Sequence, residues 1–154
     1  MFFNLLIFFV VFIDQLVKFI IHKNLDLHQE IVVIPGFFNI NYVQNTGAAW
    51  GIFPSQTWLL GLLSAAAFLL VVIFRKKIFE NNIWHKVAYV LLASGIAGNM
   101  IDRLKNGYVV DFIHLYFKSY HFPSFNVADS VICIGVVCYV IPNLIAHYKK
   151  TIKE

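Results

Sequence analysis

The stretch TWLLGLLSAAAFLLVVIF, Thr57 to Phe74, runs for 18 positions without a charged side chain. A helix crosses the hydrocarbon core of a bilayer with about 20 mostly apolar residues. This stretch therefore predicts a transmembrane helix. Three more segments have a comparable length and composition and predict helices of the same kind: 2–21, 83–104 and 127–147.

The composition of the whole chain agrees with this assignment. Of its 154 residues, 60% are hydrophobic and 13% are charged, and the mean hydropathy is +0.74. Soluble domains are usually about half apolar and a quarter charged, so a soluble globular protein is excluded. The N-terminal segment lacks the basic start and the small-residue cleavage site of a secretory signal peptide, and we expect it to be retained. The sequence predicts one integral membrane domain covering residues 1–154.

The basic side chains are concentrated in the short link between the second and third spans and in the C-terminal tail: Arg75, Lys76, Lys77, Lys86, Lys149, Lys150 and Lys153. Lys and Arg are enriched in the cytoplasmic loops of membrane proteins. We therefore expect both termini and this short link to be cytoplasmic, and the two longer links to face the other side. The net charge of +4 follows from this topology and does not indicate nucleic-acid binding.

The two longer links are rich in aromatic and β-branched residues. In the first, Pro35-Gly36 is a turn signal between two strand-like stretches, and in FFNINYV apolar residues alternate with asparagine as in a half-buried strand. Trp50 is expected at the level of the lipid headgroups. The second link is too polar to span, and we expect it to lie along the interface. The expected fold is an all-α membrane protein with four transmembrane helices, a small extracytoplasmic β-sheet and an interfacial amphipathic segment.

Several polar residues lie within the predicted spans, where they are costly and often mark function. Asp14 and Lys18 are four positions apart, so they share a helix face and can form an ion pair. Lys18 could also extend to a lipid headgroup. Gly95 and Asn99 have the same spacing, which permits close helix packing. Asp102 is interpreted as a solvated charge at the end of its helix.

Two further carboxylates stand on the predicted outer side. Asn126 and Asp129 begin the fourth span, where an N-cap and a carboxylate near a helix N-terminus account for them. Asp111 lies among apolar residues in YVVDFI, and burial raises the pKa of a carboxyl group. Two adjacent aspartates can act together, one as a base toward water and the other as an acid toward a carbonyl oxygen. The pair predicts aspartic-protease chemistry; an intramembrane proton or ion pathway and a structural subunit with capped helices are the alternatives.

The other reactive side chains give no comparable signal. Cys133 and Cys138 share one apolar run and are expected to be buried thiols, without a disulfide framework or a CxxC motif. The six histidines have no spacing typical of a metal site, and no GxSxG motif is present. We expect neither a metal nor an organic cofactor.

Five motifs occur in order along the chain: DQLVK (14–18), NTGAAWG (45–51), GIAGNMIDR (95–103), VVDF (109–112) and FNVADS (125–130). Together they resemble the motifs of the lipoprotein signal peptidases, also called signal peptidase II, over essentially the whole chain. The resemblance implies an aspartyl endopeptidase of the bacterial inner membrane. Such an enzyme removes the signal peptide of a diacylglyceryl-modified prolipoprotein just before the lipidated cysteine.

The resemblance also implies roles for individual residues. Asp111 and Asp129 would be the catalytic pair, facing the outer leaflet. Nine others would support the site or contact the substrate: Asp14, Lys18, Asn45, Gly47, Gly95, Asn99, Arg103, Asn126 and Ala128. The implied partners are the lipid-modified prolipoprotein and membrane phospholipid, without nucleic acid, and a monomer is expected to suffice.

Overall fold

The computed structural model describes residues 2–48, 52–79 and 82–152. Within these ranges the helices are α1 (Phe2–Asn24), α2 (Thr57–Ile73), α3 (Arg75–Phe79), α4 (Ile83–Asn106) and α5 (Val127–Thr151). The strands are β1 (Glu30–Ile34), β2 (Phe38–Asn45), β3 (Val109–Phe117) and β4 (Tyr120–His121). Trp50 and its two neighbours, Ala49 and Gly51, lie outside the described residues, as does Lys153 of the basic tail.

The helix ends follow from local sequence chemistry. Asn82 caps the N-terminus of α4, because its side chain accepts a hydrogen bond from the backbone N of His85 at 2.9 Å. Gly107 ends α4 in a left-handed conformation with φ of +77°, which glycine adopts without steric cost. The predicted cap of α5 is confirmed as a complete capping box between Asn126 and Asp129.

Three of the described helices, α1, α4 and α5, are long and apolar enough to cross a membrane. The fourth apolar helix, α2, has 17 residues. At 1.5 Å per residue it is about 25 Å long, shorter than a hydrocarbon core of about 30 Å. Four membrane-crossing helices therefore remain a prediction.

Helix α4 is the centre of the bundle and packs against α1, α2 and α5. Its buried face includes several small residues, among them Ala88, Ala93 and Gly98, which let neighbouring helices approach closely. At Gly95 the approach is closest, since a Cβ there would lie 2.5 Å from the backbone O of Ala128. The apolar outer faces of α1, α2 and α5 are exposed. Cys133 is exposed on α5 and Cys138 is half-buried, so the expectation that both thiols are buried is wrong.

The four strands form one antiparallel sheet in the order β1-β2-β3-β4. The β1–β2 hairpin turns at the predicted Pro35-Gly36, with φ of +79° at Gly36. The second link contributes strand β3, which pairs with β2 from Val109 to Leu115 and so satisfies its backbone hydrogen bonds. The position of this link along the membrane interface stays a prediction. The sheet lies where α1 and α4 end and α5 begins. A cluster of buried residues packs it against α1: Ile21, Tyr42, Val110 and Phe112.

Candidate active site

Strand β3 and the N-terminus of α5 bring Asp111 and Asp129 to the two sides of Asn126. The Nδ2 of Asn126 donates a hydrogen bond to Asp111 Oδ1 at 2.7 Å, and its backbone N donates to Asp129 Oδ2 at 3.2 Å. Its Oδ1 accepts from the backbone N of Asp129 at 3.0 Å. Asn126 is itself fully buried. One rigidly held amide residue therefore fixes the positions of both carboxyl groups.

Asp111 is buried, and its second carboxyl oxygen accepts a hydrogen bond from Asn45 Nδ2 at 2.9 Å. Burial first, and then the negative charge of Asp129, raise the pKa of Asp111 to about 7. The hydrogen bonds from Asn45 and Asn126 act in the opposite direction and are outweighed. Near neutral pH Asp111 therefore exchanges a proton readily, as an acid–base catalyst must.

Asp129 has different surroundings from those of Asp111. It occupies the third position of α5, at the positive end of the helix dipole. Its Oδ1 accepts a hydrogen bond from Asn99 Nδ2 at 2.7 Å, and its Oδ2 accepts from the backbone N of Asn126. Both partners donate, so the carboxylate form satisfies every one of these contacts.

Lys18 does not contact Asp111 or Asp129 directly but connects three buried polar side chains near them. Its Nζ is 2.8 Å from Asp14 Oδ2 and 3.1 Å from Asp102 Oδ2, and it donates to Asn99 Oδ1 at 3.0 Å. The predicted ion pair between Asp14 and Lys18 is thereby confirmed. Lys18 does not extend toward a headgroup, since it is only 2% exposed. The contact to Asn99 turns the amide nitrogen of that residue toward Asp129.

Asp102 is buried at 3% exposure, so its interpretation as a solvated charge is wrong. Its Oδ2 accepts from the backbone N of Val110 at 3.3 Å, and its Oδ1 accepts from Gln15 Nε2 at 3.0 Å. Val110 directly precedes Asp111, so Asp102 holds the strand that carries a predicted catalytic residue. The sequence contained a signal for this role, because Asp102 follows Asn99 by three positions and shares its helix face.

Asp14 joins α1 to α5. Its Oδ1 accepts a hydrogen bond from the backbone N of Ala128 at 2.9 Å, one of the donors that a helix N-terminus leaves unpaired. A Cβ at Gly98 would lie 2.6 Å from Asp14 Oδ2, so a glycine is needed for this approach. Ala128 is also the residue against which Gly95 packs.

The loop after β2 is held next to the carboxyl groups by Asn45 and Arg103. Asn45 Oδ1 accepts from the backbone N of Gly47 at 2.9 Å, and Arg103 Nη2 donates to Gly47 O at 3.2 Å. Arg103 makes no direct hydrogen bond to either aspartate but interacts electrostatically with both. All the catalytic and supporting residues that the resemblance implies therefore lie in one connected region. The structure adds Gln15 and Asp102 to this region.

An open groove of about 280 Å³ adjoins Asn99 and Arg103. Its remaining wall is mostly apolar and comes from the loop after β2 and from α2, α4 and α5: Ala48, Leu60, Leu63, Ser64, Ala67, Ile96 and Ile132. The Nε of Arg103 is buried without a hydrogen-bond partner. The groove thus presents an apolar surface with one cationic group at the end where the carboxyl groups lie.

The chain is similar to known proteins over nearly its whole length. The sequence profile of the signal peptidase II (SPase II) family matches residues 6–145. A lipoprotein signal peptidase of Bacillus pumilus is 39% identical over 145 residues, 94% of each chain, and one of Symbiobacterium thermophilum is 40% identical over 82% of this chain and 83% of its own.

Solved structures agree with the sequence relatives. A bacterial membrane enzyme determined by the in meso method at 2.3 Å resolution superposes with a TM-score of 0.89 at 38% identity, covering 96% of this chain and 90% of that one. A second, at 1.9 Å resolution, gives a TM-score of 0.82 at 39% identity and covers 92% of each chain. The chain therefore belongs to the signal peptidase II family.

Proposed function

We propose that this protein is an aspartyl endopeptidase that cleaves signal peptides from diacylglyceryl-modified prolipoproteins, just before the lipidated cysteine. The observation that carries the proposal is the pair of carboxyl groups bridged by Asn126. Their surroundings differ in a way that suits acid–base catalysis, because Asp111 is buried with a raised pKa while Asp129 lies at a helix N-terminus.

In the proposed reaction, ionised Asp129 takes a proton from a water molecule as the water oxygen attacks the scissile carbonyl carbon. Protonated Asp111 donates its proton to the carbonyl oxygen, so that the tetrahedral intermediate carries no net charge. When the carbon–nitrogen bond breaks, the proton held by Asp129 passes to the leaving amine, and Asp111 regains a proton from the collapsing hydroxyl group. Asn45, Asn99 and Asn126 keep both carboxyl groups oriented throughout.

The apolar groove beside Asn99 and Arg103 suits a substrate that is itself embedded in lipid. We assign it to the apolar part of the prolipoprotein, with the Arg103 guanidinium available to polar groups at the cleavage site. The cleavage site of a diacylated protein lies at a membrane surface, because its acyl chains remain in the bilayer. The distribution of basic residues predicts that this surface is the outer leaflet of the cytoplasmic membrane, with both chain termini cytoplasmic.

A cleavage assay with a purified lipidated precursor tests the proposal. Asp111→Asn and Asp129→Asn should each reduce the cleavage rate by at least about a thousandfold, because each removes one of two proton carriers. Asp26→Asn is the matched control, since Asp26 is exposed on the link after α1 and should leave the rate unchanged. Cleavage at the wild-type rate by either of the first two variants would contradict the assignment.

The alternative of a proton or ion pathway has less support. Such a pathway needs polar side chains along the full depth of the helices. In the described ranges, the buried charged residues gather near the sheet: Asp14, Lys18, Asp102 and Asp111. The half of α4 that lies farther from the sheet buries mainly apolar side chains.

A further inference from the structure

A second cluster of polar side chains lies on the sheet, apart from the two aspartates. Its centre is a pair of histidines on neighbouring strands, His114 of β3 and His121 of β4. His114 Nε2 and His121 Nδ1 are 3.2 Å apart, and the two rings are inclined by only 26°. The rings of Tyr116 and His121 are nearly parallel, with 5.5 Å between their centroids and 7° between their planes, and this contact helps to orient the imidazole.

The distance between the two ring nitrogens suits a shared metal ion. A tetrahedral Zn²⁺ ion binds imidazole nitrogens at about 2.0–2.1 Å, which places two such ligands about 3.3 Å apart. The 3.2 Å separation of His114 Nε2 and His121 Nδ1 is close to this value. The ion would replace the hydrogen bond between the two rings with small rotations of the side chains.

The other nitrogen of His114 has a carboxylate nearby. Histidines that bind metals usually donate the second ring N–H to a carboxylate, which fixes the tautomer. His114 Nδ1 is buried without a hydrogen-bond partner, and Glu30 Oε1 lies 3.4 Å from it. Asn39 Nδ2 donates to the other oxygen of Glu30 at 3.2 Å. A small rotation of Glu30 therefore supplies the missing hydrogen bond.

We propose that His114 and His121 bind a divalent transition-metal ion through Nε2 and Nδ1, with Glu30 orienting His114. Imidazole ligands favour Zn²⁺, Cu²⁺ or Ni²⁺ over Ca²⁺ or Mg²⁺. Groups of three or more His, Cys, Asp or Glu side chains that could together hold a metal ion are absent among the described residues. The proposed ion would therefore have only two protein ligands, His114 and His121, and water molecules would complete its coordination.

Occupation of this site would stabilise the region beside the carboxyl pair. His121 lies five positions before Asn126, and Phe125 in between is bridged to Ile113 of β3. An ion between His114 and His121 therefore ties β4 to β3 just ahead of the residue that positions both aspartates. The proposed role is structural, and it requires no step of the cleavage reaction.

Calorimetric titration of the full-length chain in detergent micelles with Zn²⁺, without a histidine tag, tests the site. The expected result is one bound ion per chain, with binding abolished in His114→Gln and in His121→Gln. Glu30→Gln should weaken binding about tenfold, as loss of an orienting carboxylate does. His147→Gln is the matched control, because His147 is exposed on α5 and should leave the affinity unchanged.

Thermal unfolding gives a second measurement. An ion that binds only the folded chain raises Tm, so Zn²⁺ should do so for the wild type and for His147→Gln but not for the two ligand variants. Absence of saturable one-to-one binding to the wild type would overturn the proposal, as would unchanged binding in both ligand variants. The wild-type titration decides the matter even if a ligand variant fails to fold, and failure here leaves the proposed peptidase activity untouched.

Discussion

The carboxyl group of Asp111 is buried close to the negative charge of Asp129, and together these raise its pKa to about 7. In the proposed mechanism Asp111 must be protonated to donate to the substrate carbonyl. The fraction of active enzyme is therefore high below pH 7 and falls as the pH rises through that value. We expect kcat/KM for cleavage to decrease above about pH 7, approaching about a tenfold loss per pH unit.

A pH series of kcat/KM with the lipidated precursor measures this directly. Asp26→Asn should reproduce the wild-type profile, because Asp26 is exposed and distant in sequence from the pair. A constant kcat/KM from pH 6 to about pH 9 would show that protonated Asp111 is not the acid in the reaction.

Asn126 has two separable roles: its Oδ1 caps the N-terminus of α5, and its Nδ2 donates hydrogen bonds to Asp111 and to Asn99. Serine caps helices about as well as asparagine but lacks the amide nitrogen. Asn126→Ser should therefore keep most of the stability while losing about a hundredfold in cleavage rate, since Asp111 is no longer oriented. Asn126→Ala should lose the same activity and a further ~1 kcal/mol of stability because the cap is also gone.

Cleavage rates and thermal unfolding of the two variants separate these roles. If Asn126→Ser cleaved the precursor within a few-fold of the wild-type rate, its amide would not be needed to position Asp111.

Sequence reasoning named Asp111 and Asp129 as the catalytic pair, which stays a prediction, and it misjudged Asp102. The expectation for Asp102 followed its position near a helix end, where charges are usually solvated. Its burial depends on Lys18 of α1, which is distant in sequence, and a local pattern does not contain such a contact. Asp14 and Lys18 were easier to pair because they lie one turn apart on the same helix.

At the scale of elements, α1 is joined to the rest of the bundle by Lys18. Its ammonium group lies between two buried carboxylates, Asp14 of the same helix and Asp102 of α4. Removing one partner of a buried ionic group leaves uncompensated charge, at a cost of about 3–5 kcal/mol. Lys18→Met should therefore lower the free energy of unfolding by about that amount. Lys105→Met, on the exposed side of α4, should change it little.

Thermal unfolding in detergent measures both substitutions. Adding Asp14→Asn and Asp102→Asn to Lys18→Met should restore part of the lost stability, because no buried charge then remains without a partner. Equal unfolding temperatures for Lys18→Met and Lys105→Met would show that the ionic cluster contributes no net stability.

The contact of α4 with α5 sets the position of Asp129 through Gly95. A Cβ at Gly95 would lie 2.5 Å from the backbone O of Ala128 and 2.5 Å from Ile132 Cγ1. Backbone atoms cannot move aside as side chains do, so Gly95→Ala should displace the start of α5. A displacement of about 1 Å at a catalytic group can reduce the rate about a hundredfold. We expect a loss of that order in the cleavage assay.

Gly135→Ala is the matched control at the same helix interface. The nearest atoms to a Cβ there are side-chain atoms of Leu91 and Leu92 at 3.0–3.2 Å, so the contact is about 0.5 Å looser than at Gly95 and involves no backbone oxygen. This variant should keep most of the wild-type cleavage rate. If both glycine variants lost activity equally, the close approach at Gly95 would have no special role.

The helices were easier to predict than the sheet. Hydropathy alone located α1, α4 and α5 to within four residues of their ends, because a membrane helix carries its signal in consecutive residues. Strand β3 was missed because its pairing partner β2 lies more than 60 residues earlier in the chain. Its aromatic composition is equally typical of an interfacial segment.

At the scale of the whole molecule, polar and apolar regions are separated along the bundle. The sheet, the buried charges and the carboxyl pair lie at the C-terminal end of α4. The basic helix α3 directly follows the C-terminus of α2 and precedes the N-terminus of α4. In a membrane enzyme this separation defines an orientation, because Lys and Arg favour the cytoplasmic side. The sheet and the proposed active site should then face outward, which is the side on which the proposed substrate would be cleaved.

Labelling with a membrane-impermeant maleimide tests this orientation. With Cys133→Ser and Cys138→Ser as background, Lys105→Cys adds a thiol at the sheet end of α4, and Lys76→Cys adds one on α3. Both lysines are exposed, so each new thiol is accessible from its own side of the membrane. Lys105→Cys should react in cells whose cytoplasmic membrane is intact, whereas Lys76→Cys should react only after permeabilisation. The reverse pattern would place the carboxyl pair on the cytoplasmic side, where it could not meet a translocated prolipoprotein, and would contradict the proposed function together with the orientation.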